Sequence, residues 1–232
     1  SNFVCLIGAR RRSAPRLGCT GTRRPSTMHQ YLQDTEFAAK NLFSLATDEA
    51  NQLKSLTERL PPLEQQLKVH QWDFQTSDLN EDFSDAYVMA AFGRAARTGQ
   101  EVERLKGQVS GLQASIGTRQ HSIQAIAGSI FQLAKQGISL VYGGPTATPP
   151  GRMVGSLAIR DIIWQARNQS MHYEEGSFKK ALVDLFSTLE TEHGPQLSLT
   201  IHAKQNRARQ VLDVLGWVSY DSYLLDMQAL LP

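Results

Sequence analysis

From His29 onward, apolar positions recur along the chain at spacings of three and four, the period of helices that bury one face. Phe37, Leu42, Leu45, Leu53, Leu56 and Leu60 keep this spacing up to Pro61-Pro62. Two missing N–H donors and the proline rings predict a helix stop there. Residues 63–80 are weakly patterned, with Leu63, Leu67, Trp72 and Phe74 as packing candidates, and Asp78 followed by Glu81 has the spacing of a helix start. The most regular segment follows. Val102, Leu105, Val109, Leu112, Ile116, Arg119, Ile123, Ile126, Ile130 and Leu133 alternate steps of three and four, and only Arg119 breaks the apolar seam. Val88, Ala91, Ala95 and Thr98 carry the same phase backwards. Such a heptad seam serves a core or a dimer. Gly107, Gly111, Gly117 and Gly128 each cost a helix about 0.8–1 kcal/mol relative to alanine, so a hairpin bent near Gly117 competes with one helix roughly 80 Å long. The unbroken phase favours the long helix.

Tyr142 to Ser156, "YGGPTATPPGRMVGS", predicts a loop. It lacks the Lys-Ser/Thr ending of a phosphate-cradling loop, and no strand pattern precedes it. Ser156 is placed to cap the next helix. There Ile159, Ile162, Ile163, Ala166 and Ser170 share the core face, Arg160, Trp164, Arg167 and Met171 form a second stripe, and Asp161, Asn168 and His172 lie beside it. Ser177 is the expected cap of a further helix, with Phe178, Leu182, Leu185, Phe186 and Leu189 buried and Gly194-Pro195 at its end. "QLSLTI" alternates and reads as a short extended segment, though a single strand makes no sheet. Val211, Leu212 and Leu215 mark a helix stopped at Gly216, and "YDSYLLDMQALL" closes the chain as another. The expected fold is all-α: N-terminal helices over 28–80, a long heptad helix or hairpin over 81–141, a Gly/Pro loop over 142–156 and further helices over 157–232.

Charge divides the chain. Residues 1–27 carry six arginines and no acid; of the 24 basic residues the other 18 then face all 22 acidic ones, a net of about −4 for the remainder. Both cysteines, Cys5 and Cys19, lie in the same leader, so the remainder has no thiol for a disulfide or zinc site. The leader reads as a basic arm for nucleic acid, a targeting peptide, or an extension upstream of the first methionine, Met28; the last is preferred. "FVCLIG" is too short for a secretory apolar core, and no stretch reaches the roughly 20 apolar residues of a membrane span. A cytoplasmic location fits, without proof.

The densest chemistry is "ARNQSMHYEEG", Ala166 to Gly176. Asn168 and His172 are four apart and neighbours on a helix. Arg167 and His172 are about 140° apart around the axis. Bringing them together needs a long arginine, a helix end near His172 or a second copy of the helix. "RNQSMH" resembles the R-polar-x-x-x-H signature of HEPN domains (higher eukaryotes and prokaryotes nucleotide-binding). The resemblance implies an all-α fold and a metal-independent endoribonuclease of the toxin or antiphage type, with two copies of the motif meeting at a homodimer interface. It marks Arg167, Asn168 and His172 as catalytic. One toxin branch carries a tyrosine two residues after the histidine; here Glu174 stands there and Tyr173 precedes it, which departs from that branch.

The chemistry holds without the family name. RNA brings its own nucleophile, the 2′-OH. Histidine titrates near neutrality and serves as base or acid, and arginine grips phosphate oxygens. Arg160, Lys204 and Arg207 are candidates for RNA phosphate contacts, with a solvated helix face as the plain alternative for the last two. Arg160, Trp164, Arg167 and Met171 mix an aromatic with arginines, as interface cores do, and are the expected dimer contact. His29, His70, His121, His193 and His202 show no ligand-like spacing; no metal and no cofactor are expected. The competing function is a non-catalytic helical interaction module that assembles through the heptad helix. A shared basic cleft holding Arg167 and both copies of His172 favours catalysis. His172 packed on Glu174 and Glu175 favours the module.

Overall fold

The computed structural model describes residues 28–76 and 85–232. The described residues fold into six α-helices and one two-stranded hairpin, so the fold is all-α. Helix α1 is Gln30–Thr76 and α2 is Asp85–Tyr142. They lie antiparallel: the Tyr31 hydroxyl donates to the Leu133 carbonyl at 2.8 Å, Arg119 meets Glu49 at 2.5 Å, and Gln113 donates to Glu64 at 3.3 Å. The seam of α2 faces α1, with Val102, Leu105, Val109 and Ile123 buried. Arg119, the polar break in that seam, thus ties the two helices by charge.

Three expectations for this region change or fall outside the described residues, while the favoured long helix is observed. α1 runs through Pro61 and Pro62. The prolines remove the donors for the carbonyls of Thr57 and Glu58, a cost of about 3 kcal/mol for an interior proline, but these positions face solvent and the flanking turns pack on α2. α2 does not bend at Gly117; its 58 residues form one helix, roughly 87 Å long. The buried stripe of α1 near the bundle is Leu32, Ala39, Phe43 and Ala46, whereas Phe37 is 82% exposed and Leu45 and Trp72 are also exposed. Alanines on the contact face let the helices approach, and the bulkier residues beside them stay out. The helix start expected at Asp78–Glu81 lies outside the described residues, as do the side chains of Phe74, Val88 and Ala91.

Past α2, a 3-10 turn at Pro145–Ala147 leads into strands β1, Met153–Val154, and β2, Leu157–Ala158. Ser156 is therefore a hairpin-turn residue and not a helix cap; its N–H donates to the Glu192 carboxylate at 3.1 and 3.2 Å, and hydrogen bonding from the Ser156 side chain, then from this N–H, holds that carboxyl below its usual pKa. Gly155, at φ +57, is required in this turn: a Cβ there would lie 1.9 Å from a Glu192 oxygen. Helix α3, Ile159–His172, begins directly after β2. Helix α4 is Lys180–His193, starting after Lys179, so Ser177 does not cap it. Leu197 ends a 3-10 turn, and 199–204 continue as turns, so "QLSLTI" is not extended. Helices α5, Ala208–Leu215, and α6, Tyr220–Leu230, complete the bundle, α6 with a reciprocal Ser219–Ser222 capping box.

The core joins α1, α2 and α3 to α4, α5 and α6. Ile159, Ile162 and Ile163 of α3 are fully buried with Phe131, Leu189, Val211 and Met227. Phe43, Phe131, Trp217 and Tyr223 form an aromatic cluster with ring centroids 5.0–5.7 Å apart, at distances where edge and offset contacts are favourable. Asp226 lies beneath it. The buried carboxylate accepts from Trp217 Nε1 at 2.7 Å and from Arg152 Nε at 2.7 Å, and Arg152 also donates to the Leu215 carbonyl. Asp226→Ala strands the indole N–H in the core and is expected to cost about 1–3 kcal/mol, while Asp226→Asn, which keeps an acceptor, loses less. Urea unfolding of the two variants checks the order.

Candidate functional site

The site begins with how α3 is held. Its buried stripe is Ile159, Ile162, Ile163, Ala166, Gln169 and Ser170, the expected core face with one addition. Gln169 is buried, and its side chain donates to the Gln205 carbonyl at 2.8 Å and accepts from the Arg207 N–H at 2.9 Å. Asn206 donates to the Gln124 and Ser170 carbonyls at 3.4 Å each, and its side-chain oxygen accepts from the Ala208 N–H at 2.8 Å, starting α5. Gln124 of α2 accepts from the Arg209 N–H at 2.9 Å. These amides satisfy the irregular segment between the turns and α5, which would otherwise bury unpaired backbone groups.

Beyond that lock α3 ends in the open. His172 closes it, Tyr173–Glu175 form a 3-10 turn, and Gly176 turns the chain at φ +70. Lys204 packs its methylenes on Gly176, where a Cβ would come within 2.9 Å of Lys204 Cε. The structure thus brings Lys204 onto Gly176, four residues after His172 in the chain. His172 Nδ1 meets Glu175 Oε1 at 2.7 Å, with the two side chains 52% and 61% exposed. A carboxylate on Nδ1 fixes the ring and leaves Nε2 for other partners. Asn168 and His172 line a cavity of about 330 Å³ with Gln165, Glu175, Lys179 and Leu182 of α4. Tyr173 hydrogen-bonds Glu174, and this raises its hydroxyl pKa.

Arg167 faces elsewhere. Its Nε donates to Gln132 Oε1 of α2 at 2.6 Å, and one terminal nitrogen reaches Asn168 Oδ1 at 3.5 Å. Lys135, one turn beyond Gln132, sits 4.3 Å over the ring of Trp164. Burial, and then the Arg167 charge, holds the Lys135 ammonium below its ordinary pKa. Within one chain Arg167 points toward α2, and His172 points toward α4. Asn168 lies between them. A second copy or a bound substrate is needed for one cleft to hold both.

Two other candidate contacts are already engaged. Arg160 lies in the first turn of α3, roughly 18 Å of helix from His172; it donates to the buried Thr148 carbonyl and meets Asp161 at 3.4 Å, pinning the 142–152 loop. Arg207 is buried rather than on a solvated helix face; it precedes α5, and its guanidinium bonds to the Asn206 and Gln196 carbonyls and to Gln205 Oε1 at 2.6 Å. Burial lowers its pKa. Along the expected interface stripe Met171 is 56% exposed, while Trp164 packs partly on the core. A groove of about 1740 Å³ runs between α1, α2 and the 202–210 segment and reaches Met171 and Tyr173.

Sequence reading missed Gln169, Lys135 and Gln132 as parts of this region, whereas Glu175 was named beside His172. For Gln169 a signal existed: it lies three residues after Ala166 and seven after Ile162, on the core face. The other two act through partners on a different element. Among the described residues no three His, Cys, Asp or Glu side chains gather as a metal-ligand set, and no helix is long and apolar enough to cross a membrane.

Gln169→Leu keeps the volume and leaves the Arg207 N–H and Gln205 carbonyl unpaired, an expected loss of about 2–4 kcal/mol. Amide exchange at Arg207 and Ala208 should accelerate ahead of the helices; unchanged protection there would show that the lock is not needed. No family model, curated protein or solved structure matches the chain.

Proposed function

We propose that the chain is a metal-independent endoribonuclease that works as a two-fold dimer, the ends of two α3 helices supplying one composite site. The observation that carries this reading is the exposed His172, held through Nδ1 by Glu175 at 2.7 Å with Asn168 in the same cavity. A base with an orienting carboxylate is the usual arrangement of an activated proton acceptor. Arg167, next to Asn168 in the chain, has no carboxylate partner among the described residues. The resemblance of "RNQSMH" to the HEPN signature supports the same assignment, and with it a toxin or antiphage role, a possible antitoxin partner and a cytoplasmic setting.

In this mechanism His172 Nε2 of one copy takes the proton from the ribose 2′-OH as its oxygen bonds to phosphorus. The P–O5′ bond breaks, and His172 of the partner protonates the leaving oxygen. Arg167 from each copy neutralises the charge that grows on the phosphorane. The products are a 2′,3′-cyclic phosphate and a 5′-OH. Asn168 positions the histidine or bonds a phosphate oxygen. Met171 and Trp164, from the stripe beside the site, belong to the dimer contact in this reading.

One observation favours a second reading. His172 held on Glu175 is the arrangement expected from the sequence for a non-catalytic interaction module, with the α1–α2 pair as its assembly surface, and within one chain Arg167 and His172 point apart. Activity separates the two. His172→Ala is expected to lower cleavage about 10²–10⁴-fold and Arg167→Ala about 10²–10³-fold, both with helical content intact. EDTA should leave wild-type cleavage unchanged, and a substrate with hydrogen in place of the scissile 2′-OH should survive. Sedimentation should show a dimer at micromolar concentration that Met171→Glu dissociates. Full cleavage by the His172→Ala protein, or a wild-type monomer, would leave the module as the better account.

A further inference from the structure

The cluster at the α2–α3 contact has a charge arrangement that packing does not explain. Gln132 and Lys135 of α2 and Trp164 and Arg167 of α3 interlock as two pairs three residues apart. Gln132 fixes Arg167 through Nε at 2.6 Å, and the Trp164 ring holds the Lys135 ammonium at 4.3 Å. Two cations are therefore held in fixed positions near each other. Among the described residues neither forms an ion pair with a carboxylate. Like charges this close repel, and each is partly desolvated, Lys135 enough to depress its pKa. A fold that needed only helix packing would be more stable with an apolar residue at 135. The arrangement gains when an anion enters between the two.

We propose that Lys135 and Arg167 form a binding site for a backbone phosphodiester of single-stranded RNA, with Lys135 as a phosphate contact from α2 and Gln132 as the residue that positions Arg167. The surroundings favour a nucleic acid over an acidic peptide. Gln132 also lines the large groove, whose lining residues include Lys54, Lys204 and Arg209 with a single carboxylate, Glu58. A groove of that charge beside the pair suits an extended polyanion whose backbone runs on from it. The groove ends at Met171 and Tyr173 and leads a strand toward the end of α3. This site deepens the ribonuclease reading and rests on it for the choice of ligand, but binding tests it without any cleavage.

The probe is a short fluorescein-labelled 2′-deoxy oligonucleotide, which lacks the nucleophile and cannot be cut by 2′-OH attack. Anisotropy titrations of the full chain run over a series of salt concentrations. Lys135→Gln is expected to weaken binding about tenfold at low salt and to flatten the dependence of log Kd on log salt by about 0.7, the loss of one phosphate contact to a single strand. Lys135→Arg, which keeps the charge, should retain most of the affinity, and melting temperatures should show that both variants fold. Equal affinity and salt slope for wild type and Lys135→Gln would overturn the site, as would absence of binding by the wild type. A shift in sedimentation for Lys135→Gln with unchanged oligonucleotide binding would overturn it in favour of a protein contact. If the wild type binds as described but cuts no RNA, the phosphate site stands and the ribonuclease assignment falls.

Discussion

The end of α3 depends on one buried amide. Gln169 sits on the core stripe of a helix whose other core positions are Ile, Ala and Ser, and it is tolerated because both ends of its side chain are paired with backbone at 205 and 207. An unpaired amide in that place would cost several kcal/mol. The same two bonds set where the segment before α5 must run. They draw Asn206 over Ser170, bring Lys204 back onto Gly176, and bury Arg207. The polar chemistry at the end of α3 is thus supported from beneath by a polar lock in the core.

Above that lock the helix carries two polar faces. On one side Arg167 and Trp164 engage α2; on the other Asn168 and His172 face α4 across a small cavity. A 3.6-residue period makes this division unavoidable for residues five apart. The chain thus presents a cationic surface and a histidine–carboxylate surface back to back on one helix. Two-fold pairing is the simplest operation that brings the face of one copy against the complementary face of another.

Much of this was legible from residue order. The phase of α2 from Val102 to Leu133 implied one long helix, and the core face of α3 was readable because isoleucines marked it. α1 was misread near the bundle because its contacts are made by Ala39 and Ala46, while Phe37 and Leu45, which dominate a hydropathy pattern, stay exposed. Pro61-Pro62 misled because a local rule lost to packing along both flanks. Ser156 and Ser177 have cap-forming side chains, but a glycine turn at 155 and the turn after Gly176 set the helix starts elsewhere. At the candidate site, Arg167, Asn168 and His172 were named through the resemblance of "RNQSMH" to a family signature, and Glu175 as an acid beside the helix end. Gln132 and Lys135 could not be named, because they lie some 30 residues away on another helix.

The long α1–α2 pair carries a mechanical consequence. The Glu49–Arg119 and Glu64–Gln113 links set a register in which Pro61 and Pro62, on the solvent side of α1, lie level with the part of α2 that holds Gly107, Gly111 and Gly117. One helix lacks backbone hydrogen bonds there, and the other lacks side chains that would stiffen it. The softest turns of both rods therefore coincide, and a load on the far tip would concentrate curvature midway along the arm. The bundle would then be shielded from torque applied at a distance, so that whatever the arm touches could move through an arc while the geometry around α3 stayed fixed.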